Sequence, residues 1–189
     1  MFYDNRLSDP TIKSDLIGAR ALGNNPLINY EDGGIDISDI SQGLQYQVWT
    51  GKLFGNSIIL TGVNGNSFTA NLGEKITEFS FTFDQNMKPV IAYKQNFFMK
   101  LYWYNTVISD YQIDVYTTKH TSPMVLLDDK RDFNRSNSDV IFVYINYRYL
   151  CMRLQRDRYL IEYKLASRIG LPLLNFGMGK NLRLQFIFN

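Results

Sequence analysis

The sequence predicts an all-β fold, on three observations. From about residue 44 onward the hydrophobic period is two, aromatic residues make up 15% of the 189-residue chain, and a four-strand unit occurs twice. A period of two puts alternate side chains on opposite faces of a strand, and Tyr and Phe suit a pleated, half-buried surface.

The strands read off one by one. From Thr77 to Phe83, Phe79, Phe81 and Phe83 are apolar while Ser80 and Thr82 are polar, which predicts a half-buried strand. Met99, Leu101 and Trp103 share a face, as do Leu150, Met152 and Leu154, and likewise Tyr159, Ile161, Tyr163 and Leu165. In a C-terminal strand over 181–188, Leu182, Leu184, Phe186 and Phe188 oppose Arg183 and Gln185. Val140 to Ile145 is apolar on both faces, the pattern of an interior strand.

The repeat joins these strands into units. One unit runs 78–116 and the other 122–165. In each, a first strand ends in Asp (Asp84, Asp128), a second ends in Tyr (Tyr93, Tyr144), and two amphipathic strands follow. Aligning the tyrosines brings the aspartates together if the second unit carries seven extra residues, which fall in the charged loop from Lys130 to Ser138. A weaker unit at 44–73 has turns at Phe54-Gly55-Asn56 and Asn64-Gly65-Asn66.

Four antiparallel strands in about 40 residues are the habit of a β-propeller blade. A closed propeller needs about four to eight blades, so two good units and one weak one do not close a ring. The expected architecture is therefore blade-like units from several chains, or sheets packed face to face as a β-sandwich within one chain. Residues 41–189 form the β domain, and residues 1–40 an extended N-terminal arm rich in Asp, Asn, Gly and Ser. A short helix is expected over about 14–22, with turns at Asn24-Asn25-Pro26 and Asp32-Gly33-Gly34. The arm either wraps its own domain or reaches a neighbouring subunit.

Composition narrows the function classes. A net charge of +2 from 20 basic and 18 acidic residues supplies no strong field toward nucleic acid. No segment reaches the ~20 apolar residues needed to cross a bilayer. The N-terminus lacks the pattern of a signal peptide, so synthesis in the cytoplasm is expected. Cys151, the one cysteine, cannot form an internal disulfide or a structural zinc site, and reads as a small buried residue.

Candidate sites are few. Asp128 and Asp129, beside Lys130, Arg131 and Asp132, resemble a cation site or an acid/base pair, but adjacent strand residues face opposite ways and a polar turn explains them better. Arg153, Arg156 and Arg158, near Tyr147 and Tyr149, suggest a phosphate-binding strip. Asp157 and Glu162 dilute that charge, and a polar hairpin turn or an inter-subunit ion pair uses the same residues. His120 is the lone histidine and has no nucleophile or metal partner in the sequence pattern. Gly177-Met178-Gly179 has part of a phosphate-loop spacing but reads as a turn. Tyr102, Tyr104 and Asn105 could hold a sugar. Alternation puts Trp103 on the core face and the two tyrosines opposite, where they serve equally as an interface. No catalytic set, metal site or cofactor site emerges.

The succession Gly43-Leu-Gln-Tyr-Gln-Val-Trp49, Lys100-Leu-Tyr-Trp-Tyr-Asn105, Leu127-Asp-Asp-Lys-Arg131, Asp139-Val-Ile-Phe-Val-Tyr144, Leu154-Gln-Arg-Asp-Arg-Tyr159 and Gly177-Met-Gly-Lys-Asn-Leu-Arg-Leu-Gln-Phe186 resembles a family of uncharacterised virion proteins of tailed bacteriophages. The likeness covers residues 30 to 189 and carries no catalytic assignment. It implies a non-enzymatic, oligomeric part of the phage tail or of a tail-fibre attachment, with other tail proteins as partners and the virion as its location. The alternative expectation is a glycan-binding β module of an adsorption device.

Overall fold

The computed structural model describes residues 35–36, 45–46, 49–62, 65–84, 88–116, 120–127, 140–167, 173–178 and 184–188. The expected helix over 14–22, the turns at 24–26 and 32–34, and the 128–132 charge cluster lie outside these residues. The described chain is all-β.

Strands β1 (Ile35–Asp36) and β2 (Gln45–Tyr46) form a two-residue ladder. Strands β3 (Trp49–Phe54), β4 (Ser57–Gly62) and β5 (Ser67–Asn71) form sheet I. The four strands β6 (Ile76–Phe83), β7 (Pro89–Gln95), β8 (Phe98–Asn105) and β9 (Asp110–Tyr116) form sheet II. The next four, β10 (His120–Leu127), β11 (Val140–Asn146), β12 (Tyr149–Leu154) and β13 (Tyr163–Ala166), form sheet III. Strands β14 (Leu173–Met178) and β15 (Leu184–Phe188) pair as sheet IV. Every pairing is antiparallel between strands consecutive in sequence, so each sheet is a meander.

The sheets stack face to face in chain order, with an apolar layer in each gap. Between sheets I and II lie Trp49, Ile58, Leu60, Ala70, Phe79, Phe81, Phe83, Ile91 and Tyr93. Between II and III lie Val90, Ala92, Met99, Leu101, Trp103, Val125, Phe142, Tyr144 and Cys151. Between III and IV lie Met124, Leu126, Ile141, Val143, Ile145, Leu150, Leu154 and Leu173, with Leu184, Phe186 and Phe188 packed against them. The alternation places these layers: odd residues of β6 and β7 face sheet I, while the odd residues Met99, Leu101 and Trp103 of β8 face sheet III. The two repeat units coincide with sheets II and III, and Tyr93 and Tyr144 both point back toward the preceding sheet. The arrangement is open rather than closed, a row of blade-like sheets and not a ring.

Three local expectations change. Ser80 and Thr82 are 8% and 1% exposed, because sheet II is covered on both faces. Ser80 Oγ is satisfied by the Val125 backbone N–H of β10 at 3.2 Å. Next, the strand expected through Tyr159 and Ile161 begins only at Tyr163. A 3-10 turn over Gln155–Asp157 is followed by left-handed φ values of 53° and 56° at Arg158 and Tyr159. The Tyr159 and Leu160 carbonyls accept from Arg153 instead of joining a ladder. Finally, Gly177 and Met178 are not a turn but belong to β14, with Gly177 opposite Gln185.

The structure assigns each hairpin turn to one of two ends. Leu72 N–H donates to Asn56 O at 3.0 Å, and Asn96 N–H to Lys75 O at 3.2 Å. These bonds bring the β3–β4 turn, the entry into sheet II and the β7–β8 turn to one end. Strand β9 also closes at that end, with Tyr116 opposite Met99. No helix among the described residues is long and apolar enough to cross a membrane.

Candidate interaction surfaces

Tyr102 and Tyr104 project from β8 toward sheet I, opposite Trp103, as alternation requires. Both are half-buried. Tyr102 stacks on Tyr111 of β9, with centroids 4.7 Å apart and planes 4° from parallel. Phe68 of β5 lies 6.2 Å from Tyr102 and 5.6 Å from Tyr111. The edge of Tyr104 meets Tyr111 at 5.2 Å, and the Lys88 ammonium sits 4.9 Å over the Tyr104 ring. Burial raises the Tyr102 and Tyr111 hydroxyl pKa values above the ordinary range, reinforced at Tyr102 by Asp110 and at Tyr111 by Tyr102. These rings therefore cement sheet I to sheet II, and a sugar stacked on Tyr102 would have to displace Tyr111.

Asn105 is buried at 2% exposure, and both ends of its amide are occupied. Its Nδ2 donates to Gln112 Oε1 at 2.6 Å, and its Oδ1 accepts from Val107 N–H at 2.9 Å. Gln112 Nε2 donates onward to Asp114 Oδ1 at 2.8 Å, and Trp103 Nε1 to Asp114 Oδ2 at 2.7 Å. This chain fixes β8 to β9 and orients Trp103 against Tyr159, whose ring it meets nearly edge-on at 5.1 Å.

The arginines separate. Arg153 points from β12 into the gap between sheets II and III. Its Nε donates to Tyr144 Oη at 2.7 Å, and Nη1 donates to the Tyr159 and Leu160 carbonyls at 2.8 and 3.0 Å. Nη2 lies 3.5 Å from Glu162 Oε2, and the guanidinium carbon is 4.6 Å from the centre of the Tyr116 ring in sheet II. Tyr144 Oη in turn donates to Glu162 Oε2 at 2.6 Å. Burial and then the Glu162 bond hold the Tyr144 proton on, against the opposing pull of Arg153. Arg153 is thus an internal clamp between two sheets. Arg156 and Arg158 are exposed in the turn beyond the far end of β12. Asp157 accepts from Tyr163 Oη at 2.8 Å, which raises the Tyr163 pKa. A continuous phosphate strip is not what these residues build.

Cys151 is fully buried beside Leu150, and burial, then Glu162, push its thiol up to about 11. Such a thiol stays protonated and unreactive at ordinary pH. His120 starts β10, paired in register with Asn146.

Sequence reasoning missed two surfaces. The first is the flank of β9, where Ile113 and Val115 are 43% and 55% exposed. They face the side of sheet I, which among the described residues has three strands and stops short of them. The alternation of Tyr111, Ile113 and Val115 was the available signal. The second is the set of hairpin tips, where Phe97 is 77% exposed and Tyr147, read in the sequence only as a neighbour of the arginines, is 62% exposed. No family model, no curated protein and no solved structure matches the chain.

Proposed function

We propose that the protein is a structural component of a bacteriophage virion, an oligomeric tail or tail-fibre-attachment part that acts in assembly. The observation that carries this reading is the uncovered flank of β9 in an open stack. A meander stack has an outer strand on each sheet, and outer strands with exposed apolar residues invite pairing or packing with a further β surface. Ile113 and Val115 supply that apolar surface. A symmetric ring of such stacks would cover it, because a ring presents the same two surfaces at every contact. The phage setting rests on the resemblance read in the sequence over residues 30–189.

Two measurements test the reading. Light scattering coupled to size-exclusion chromatography is expected to give a defined oligomer of the full chain. Phage lacking the gene are expected to yield particles without complete tails. Intact, infectious particles from the deletion would sink the proposal.

A further inference from the structure

The tip of the β11–β12 hairpin carries a second kind of surface. An open cleft of about 630 Å³ is lined by Tyr147, Arg148, Tyr149 and Ser167. That volume lies within the range of small-molecule sites, roughly 300–1,000 Å³. Its lining combines two tyrosines with an arginine and a serine, so that polar and apolar surface share it about equally.

The backbone at this tip is built against local preference. Tyr147 holds φ = 57°, in the left-handed region that favours glycine and asparagine. The matching tip of sheet II places Asn96 there, at φ = 55°. A bulky side chain in this region is strained, and such strain persists where a position is held for another purpose. The outcome is a tyrosine 62% exposed beside a second, Tyr149, at 41%.

Charge completes the site. The Lys164 ammonium stands 4.9 Å over the Tyr149 ring, and Arg148 lines the cleft. Glu162, the acid on the neighbouring stretch of chain, is engaged by Arg153, Tyr144 and Asn146. Two cations therefore flank two exposed rings. A flat ligand bearing C–H groups and an anion matches them: sugar C–H bonds rest on the negative face of an aromatic ring, and a carboxylate accepts paired bonds from a guanidinium.

We propose that this cleft binds an acidic pyranose, the carboxylate-bearing unit of a polysaccharide, with its ring on the tyrosine faces and its carboxylate on Arg148. Ser167 donates or accepts at a ring hydroxyl, and Lys164 adds a second positive charge. This assignment differs from a sugar site at Tyr102 and Tyr104, where Tyr111 is stacked on Tyr102 with centroids 4.7 Å apart. It also stands apart from the assembly role, since the cleft and the β9 flank share no lining residue.

Saturation-transfer NMR on the full chain tests it, with methyl glucuronide, methyl galacturonide and a methyl sialoside as probes and methyl glucoside as the neutral control. Transfer to at least one acidic sugar is expected, with affinity for the glucoside lower by about tenfold or more, since a bond to a charged group is worth ~1.5–3 kcal/mol. Arg148→Gln should erase that preference while leaving the circular dichroism unchanged. Tyr147→Asn, which suits the left-handed backbone, should keep the fold and weaken every sugar. No transfer to any of the three acidic sugars overturns the proposal. So does transfer that is indifferent to both substitutions, or equal for acidic and neutral probes.

Discussion

Tyr93 and Tyr144 occupy the same place in the two repeats, and their hydroxyls meet different surroundings. Tyr93 is fully buried between sheets I and II, and its hydroxyl has no hydrogen-bond partner. Burial, then Tyr102, raises its pKa well above the tyrosine range. Tyr144 is equally buried, yet its hydroxyl accepts from Arg153 and donates to Glu162. Removing an unsatisfied buried hydroxyl relieves a desolvation cost, whereas removing a satisfied one strands its partners. Tyr93→Phe is therefore expected to be neutral or to stabilise the fold by up to about 1 kcal/mol. Tyr144→Phe is expected to cost about 1–3 kcal/mol, because a guanidinium and a carboxylate each lose a bond. Urea denaturation of both variants checks the pair, and equal shifts of the same sign would refute the contrast. Nothing in the sequence separates these tyrosines, since each closes an apolar run two residues before its strand ends; what separates them is Arg153, nine residues beyond Tyr144.

At the level of elements, the close approach of β3 to β6 is set by one glycine. A Cβ on Gly51 would lie 2.6 Å from Phe81 Cε1 and 3.1 Å from Phe79 Cε2. Phe81 is 1% exposed and forms an edge-on pair with Phe83 at 6.1 Å, so it has no room to withdraw. Gly51→Ala is expected to cost about 1–3 kcal/mol by forcing sheets I and II apart. The denaturation midpoint, followed by the fluorescence of the nearby Trp49, checks this. An unchanged midpoint would mean that the gap between the sheets is loosely packed. The strands themselves were legible in alternation, since β6, β8, β11 and β12 carry unbroken apolar faces. Two things were not. Buried Ser80 looks like a solvent-facing residue because its partner, Val125 N–H, is 45 positions away. The stretch from Arg158 to Glu162 keeps a period of two, yet Arg153 takes the carbonyls that a strand would need. The candidate sites followed the same rule: alternation placed Trp103 and the two tyrosines on their faces, but not the Tyr111 ring already lying on Tyr102.

For the whole molecule, the row of sheets poses a problem of ends and edges. The outward face of sheet I carries Thr50, Lys52, Ser57, Thr61, Ser67, Thr69 and Asn71 beside Ile59 and the exposed Phe54, a mostly polar surface with which the described sheets end on that side. The flank of β9 differs, because Ile113 and Val115 alternate with Gln112 and Asp114 and lie uncovered beside the aromatic cluster of Phe68, Tyr102 and Tyr111. If the assembly reading holds, this flank is where neighbouring copies meet. Ile113→Lys with Val115→Lys would then place like charges at each contact while removing nothing from a core. Exposed positions of this kind change stability by no more than about 0.5 kcal/mol, so the thermal midpoint of the subunit should hardly move. The mass measured by light scattering should fall toward that of a single chain, 22.0 kDa. Retention of the full oligomer would clear the β9 flank of any role and send the search to the hairpin tips. A lower midpoint with the oligomer intact would mean instead that the two side chains support their own sheet.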